Sequence, residues 1–177
     1  MVSRRAIRRV MGIDPGTVRM GYGVVEDGDT LAMVDCGVVT ATPNIPLSTR
    51  LQHMYSHLIS IIAQHRPDEI AIEQPFMARN VRSALAVGRA EAVAMLAAAS
   101  NGIPVYSYAP RQVKMMVTSY GGAAKEQVQE MVKMQLGLSA TPRASDTSDA
   151  LAVAICHICQ THIEHQVNIA SERHGKL

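Results

Sequence analysis

The sequence predicts an α/β fold on one five-stranded mixed sheet: an antiparallel meander of three strands, then two parallel strands, with helices flanking them. Three observations predict it. Short apolar runs rich in Val and Ile recur over the first forty residues with only turn residues between them, as a meander requires. After residue 46 strands alternate with helix-period segments, which implies parallel pairing across crossovers. Two of the strands end in a carboxylate followed within two residues by proline, at Asp14-Pro15 and Glu73-Gln74-Pro75.

The elements follow in order. Residues 1–9 read as a flexible basic arm, or as one that joins strand one from Ala6, and strand one runs to Asp14. Pro15 and Gly16 then turn the chain, because Pro fixes φ and Gly tolerates φ > 0. Gly21 to Glu26 is strand two, and Asp27-Gly28-Asp29 a hairpin turn. Leu31 to Ala41 is strand three, with a bulge or bend expected at Gly37. Leu47, Leu51, Met54, Leu58, Ile61 and Ile62 form one apolar stripe at helical period, and Arg66-Pro67 ends that helix. Glu69 to Glu73 is strand four, Val81 to Ser100 a helix capped by Asn101-Gly102, and Ile103 to Tyr108 strand five. Helices follow at Pro110 to Ser119 and Lys125 to Leu136, with Gly121-Gly122 between them. The last helix spans Asp146 to Ile163, and residues 166–177 read as a flexible tail.

Bulk properties bound the function. The 177 residues suit a single domain, and no linker or repeat divides them. A net charge of +2 is too small to point to an anionic partner, so nucleic-acid binding must be argued from local patches. Cys36, Cys156 and Cys159 are an odd set that fits a reducing cytosol, so a cytoplasmic location is expected. No run approaches 18 consecutive apolar residues, so neither a transmembrane helix nor a membrane partner is expected. The basic N-terminus lacks the apolar run of a secretory signal.

The chemical signal is acidic. An Asp before Pro-Gly is by itself a turn former, and an Asp at a helix start is favoured by the dipole. Neither explanation covers four acids in three places. Asp14 and Glu73 lie at the C-terminal ends of strands that should neighbour each other, the edge where α/β sheets build sites. Asp146 and Asp149 are at i and i+3, so they share a helix face that Val153 and Cys156 continue inward. Four converging carboxylates repel one another and would take up protons unless a cation compensates. Mg²⁺ or Mn²⁺ suits an all-oxygen ligand set, and two such ions can drive phosphodiester hydrolysis.

Cationic residues flank the acids on both sides: Arg79, Arg82 and Arg89 follow strand four, and Arg111, Lys114 and Lys125 follow strand five. That is the layout of a phosphate track. Phe76, the only Phe, follows the strand-four acid by three residues. It is either core or a wedge that stacks on an unpaired base. Cys156-His157-Ile158-Cys159 looks like a zinc cluster but has no second ligand pair at zinc-ribbon spacing. His53 and His57 lack the Glu of a zincin helix.

These motifs resemble one family. Gly12-Ile13-Asp14-Pro15-Gly16-Thr17, Gly21-Tyr22-Gly23, Ala71-Ile72-Glu73-Gln74-Pro75-Phe76-Met77, Arg111-Gln112-Val113-Lys114 and Asp146-Thr147-Ser148-Asp149-Ala150-Leu151-Ala152 are similar, in order and spacing, to the RuvC Holliday-junction resolvases. Pro75 stands where an aliphatic residue is expected, and Met115 and Met116 where more polar ones are. The resemblance implies an RNase H-like fold, a homodimer, and Mg²⁺- or Mn²⁺-dependent nicking of four-way DNA junctions in recombination and repair, with two ions per site. It places the four catalytic, metal-binding acids at Asp14, Glu73, Asp146 and Asp149, the junction-contacting aromatic at Phe76, and basic residues at Lys114 and Lys125. A branch-migration helicase complex is an implied partner.

The homodimer also has a basis in the residues. Ala84 to Ala99 is apolar around most of its circumference, interrupted by Arg89 and Glu91, so it needs covering on more than one side. The competing readings are a related nuclease acting on RNA, a sugar-kinase or actin-type ATPase, and a non-catalytic junction-binding module. The ATPase needs a second domain that 177 residues do not hold. The binding module has no use for four acids.

Overall fold

A computed structural model describes residues 7–75 and 81–174. Five strands, β1 (Arg8–Asp14), β2 (Arg19–Asp27), β3 (Leu31–Thr40), β4 (Glu69–Glu73) and β5 (Val105–Tyr108), form one sheet in the order β3-β2-β1-β4-β5. β1 pairs antiparallel with β2, and β2 with β3; β1 pairs parallel with β4, and β4 with β5. The helices are α1 (Leu47–His65), α2 (Val81–Ser100), α3 (Pro110–Thr118), α4 (Lys125–Gln135) and α5 (Ser145–His174). The expected mixed sheet is the one observed.

Strand alternation sorts the side chains between two cores. Met11 and Ile13 of β1, with Ile70 and Ile72 of β4, pack on Met54, Leu58 and Ile62 of α1 and on Ala90, Ala94, Ala97 and Ala98 of α2. Val10 and Ala71 point the other way, into a core filled by α3, α4 and α5. Asp14 shares the parity of Val10, and Glu73 that of Ala71, so both acids emerge on the face that α5 covers. Ile13 pairs with Ile72, so the two acids stand side by side one step beyond.

α5 lies almost against the sheet backbone. A Cβ on Gly12 would fall 2.0 Å from the Ala150 carbonyl oxygen, and one on Gly21 would fall 2.1 Å from that of Asp146. Only glycine permits that approach. Sandwiched between the sheet and α3/α4, the stretch Ala150 to Ile155 is 0–1 % exposed. Further along, a buried polar chain pins the helix. Tyr108 Oη lies 2.6 Å from His157 Nδ1, and His157 Nε2 lies 2.8 Å from Glu69 Oε2. Arg8 bridges Glu69 at 3.0 Å and Asp27 at 3.1 Å, and donates to Thr161. Burial holds the His157 imidazole below its ordinary pKa, against the pull of Glu69. The cysteine–histidine segment therefore belongs to this packing.

Five expectations need correction. The register shift in the β2/β3 pair lies between Val24 and Val25, where Val34 is the extra residue; Gly37 instead makes room for the Tyr22 ring, 2.8 Å from where its Cβ would be. Arg8 and Arg9 belong to β1, because Asp27, Glu69, Glu26 and Asp68 bind them there; the rest of the proposed arm, residues 1–6, lies outside the described residues. Strand five starts at Val105, two residues later than expected. The supposed tail is helical to His174, since no Pro or Gly interrupts 145–174. Finally, Ser83–Ser100 within α2, with a mean hydropathy of 1.2, is long and apolar enough to cross a membrane by length and composition. Its alanines outweigh Arg89 and Glu91. One such helix is weak evidence, and its buried alanines pack on the domain.

Candidate active site

Four elements bring the acids together. β1 and β4 carry Asp14 and Glu73 to adjacent positions at the sheet edge, and the first turns of α5 lay Asp146 and Asp149 over them. The consequence is electrostatic. Burial pushes the Asp14 carboxyl up to about 7, and Glu73, Asp149 and Asp146 push the same way while Lys125 pulls it back. Glu73 is raised to about 7 by burial and then by Asp149, against Lys125 and Lys114. These two groups are short of positive charge in the folded chain.

Two cations answer the α5 acids. Lys125 Nζ donates to Asp149 Oδ2 at 2.5 Å. Burial lowers the Lys125 pKa, but the hydrogen bond and the charges of Asp149, Asp14 and Asp146 outweigh it and raise the net value. Arg19 donates from Nε and Nη2 to Asp146 Oδ2, at 2.9 and 2.7 Å. With Asp146 and Asp149 engaged this way, no three His, Cys, Asp or Glu side chains form a ready metal-chelating cluster among the described residues. The donor chemistry still fits a hard divalent ion. All four acids offer oxygen, and two have pKa values that additional positive charge would lower.

The acids border two clefts. One, of about 220 Å³, is lined by Glu73, Asp149, Lys114, Lys125, Pro110 and Val113 among others. The other, of about 230 Å³, joins Asp14 and Glu73 to Pro75, Ser83 and Val87 on the α2 side. Lys114 Nζ donates to the Ala123 carbonyl at 2.8 Å, which ties α3 to the turn before α4. Arg111 is exposed on α3. Phe76 and Arg79 lie outside the described residues, and so does the side chain of Arg82, although its backbone belongs to α2.

The comparisons with known proteins agree with this architecture. The family described as "Crossover junction endodeoxyribonuclease RuvC" matches residues 10–157. The chain belongs to the RuvC family. A RuvC from Chloroflexus aggregans is 52% identical over 150 residues, covering 84% of this chain and 92% of that protein. One from Pelotomaculum thermopropionicum is 50% identical over 149 residues, covering 84% and 91%. Among solved structures, Thermus thermophilus RuvC in complex with Holliday junction substrate superposes with a TM-score of 0.84 at 36% identity, covering 89% of this chain and 96% of that one. The yeast mitochondrial Holliday junction resolvase Ydc2 superposes at 0.66 with 14% identity, a likeness of fold alone. The RNase H-like architecture and the endodeoxyribonuclease class stand on these matches.

Reading the sequence missed Arg19. It sits five residues after Asp14, across the Pro15-Gly16 turn, and opens the strand that pairs with β1. That proximity was the available signal. Lys125, expected on a phosphate track, directs its ammonium to Asp149 in the structure.

Proposed function

We propose that the chain resolves four-way DNA junctions by paired nicks, with Asp14, Glu73, Asp146 and Asp149 holding Mg²⁺ or Mn²⁺, two ions per site. The observation that carries this reading is the pair of half-buried strand-end carboxyls, side by side beneath two more acids and pushed up to about 7. A bound divalent ion supplies polarisation of the scissile phosphate and acidification of a water. The chain's own residues do the rest. Asp14 and Glu73, fixed by the β1/β4 register, set the position of the reacting phosphate. Asp149, which pairs with Lys125 in the structure, would also hold the ion, and the Lys125 ammonium would then be available to a phosphate oxygen. Asp146, held by Arg19, serves as a further ligand or orients the attacking water. Lys114 and Arg111 extend the positive surface along α3 and, with Arg79 and Arg82 beyond β4, would track the backbone. Phe76 would stack at the crossover.

Two matched nicks call for two sites related by a two-fold axis. The outer face of α2 is suited to that axis. Only 22% of Ser83–Ser100 is buried, and Val81, Leu85 and Leu96 are 71%, 54% and 58% exposed. A second copy covering this face makes the homodimer. The free thiols of Cys36, Cys156 and Cys159 fit a cytoplasmic setting.

The expected result is cutting of a synthetic four-way junction in Mg²⁺ or Mn²⁺, none in EDTA, and little cutting of linear duplex or RNA–DNA hybrid. Cutting the hybrid in preference to the junction would favour the RNA-directed alternative. Junction binding with no cutting in either metal would favour the binding module.

A further inference from the structure

Four of the five tyrosines already have partners. Tyr22, Tyr55 and Tyr108 direct their hydroxyls to Asp35, Ser100 and His157, and Tyr106 stacks on the His157 ring. Tyr120 differs. It is 62% exposed, in the turn joining α3 to α4.

The turn is built to hold that ring still. Ser119 takes a left-handed conformation at φ 61° and donates its backbone N–H to Met115 at 2.9 Å. The Thr118 hydroxyl accepts from the Tyr120 N–H at 3.2 Å, and its one proton is shared between the Lys114 carbonyl at 2.8 Å and the Tyr120 carbonyl at 3.0 Å. The Ala123 N–H closes the turn on that same carbonyl at 3.1 Å. The ring folds back over Gly122, whose Cβ, if present, would fall 2.8 Å from Tyr120 Cζ and Oη. Gly121 gives the same room to the Arg111 stem. Both glycines leave space that any side chain would take, and both neighbours use it.

Two cleft-lining lysines are tied to this turn. Lys114 Nζ anchors it through the Ala123 carbonyl, and Lys125, two residues further, reaches Asp149. Lys114 and Lys125 line the cleft that Glu73 and Asp149 border, and within the turn the Arg111 stem lies against Gly121 and the Tyr120 ring against Gly122. An aromatic surface fixed in place among cations is the recognition element for a nucleobase of a strand whose phosphates those cations hold.

We infer that Tyr120 stacks on a nucleobase of the bound DNA, one left unstacked beside the crossover, from the α3–α4 side of the site. The inference rests on the reading of the chain as a junction nuclease. Its test uses the full chain with Ca²⁺ in place of Mg²⁺ to block cutting, and a four-way junction carrying 2-aminopurine at successive positions around the crossover. The parent protein should alter 2-aminopurine fluorescence at one position on each strand it engages. Tyr120→Ala should weaken junction binding by roughly five- to fifty-fold, the scale of one lost base stack, and remove the fluorescence change. Tyr120→Phe should keep both within about two-fold, since the ring carries the contact. Because the side chain is exposed, the Ala variant should unfold at the parent's temperature. Parent-like affinity and fluorescence in Tyr120→Ala would overturn the inference alone. So would a Phe variant as weak as Ala, which would assign the contact to the hydroxyl. A parent that does not bind the junction removes the functional reading, and this inference with it.

Discussion

Asp14→Asn should abolish junction cutting, by on the order of 10³-fold or more, while leaving junction binding within a few-fold of the parent. The loss corresponds to several kcal/mol of transition-state stabilisation, what a cation-holding carboxylate supplies. The same substitution should make the metal-free protein more stable. The Asp14 pKa rises from 3.8 to about 7 on folding, chiefly through burial. Between those values the folded chain keeps a proton that the unfolded chain has lost, so stability falls as pH rises through that window. Above it the folded chain carries a desolvated, crowded charge. Asn removes that charge. A three-unit shift corresponds to roughly 4 kcal/mol at most. Partial solvent access reduces it, so a gain of about 1–2 kcal/mol at pH 8 in EDTA is the expected outcome of urea unfolding. The same protons compete with a divalent ion for Asp14 and Glu73. Metal affinity, and cutting at subsaturating metal, should therefore climb as pH approaches about 7 and level off above it. An Asp14→Asn enzyme that cuts at the parent rate would remove Asp14 from the site.

Gly12→Ala should be severely damaging for a single added methyl. The new Cβ would sit 2.0 Å from the Ala150 carbonyl oxygen and 2.7 Å from the Ala154 nitrogen, both backbone atoms that no rotamer change can move aside. α5 must lift from β1, and Asp146 and Asp149 ride on its first turns. Overpacking of this kind costs roughly 3 kcal/mol or more. The expected measurement is a large fall in the urea midpoint, together with loss of cutting in the fraction that remains folded. Parent-like stability would mean that α5 does not lie as close to β1 as the structure has it.

What was legible in the sequence was local. Glu69–Glu73 and Val81–Ser100 are bounded by prolines and by an Asn-Gly cap, and both ran as expected. The i, i+3 spacing of Asp146 and Asp149 fixes a shared face whatever α5 packs on. The parallel β1/β4 pair that sets the strand-end acids side by side joins strands with β2, β3 and α1 between them in the chain, so no single connection dictates it. Long-range partners were not legible. Tyr108, His157 and Glu69 meet across 49 and 88 residues, and no periodicity announces that. Sequence shows the charge of Lys125 but not its direction; its partner, Asp149, is 24 residues on. The Val34 bulge was missed for a related reason. Glycine marks where a strand can bend, and at Gly37 the missing side chain serves the Tyr22 ring instead.

Mn²⁺ soaked into crystals of the protein at pH 8, located by its anomalous scattering, tests the central claim most directly. The account predicts Mn²⁺ held by Asp14 and Glu73, with the Asp149 carboxylate turned to the metal and the Lys125 ammonium released from it. Mn²⁺ found elsewhere, with Lys125 still bound to Asp149 and the strand-end acids bare, would contradict it.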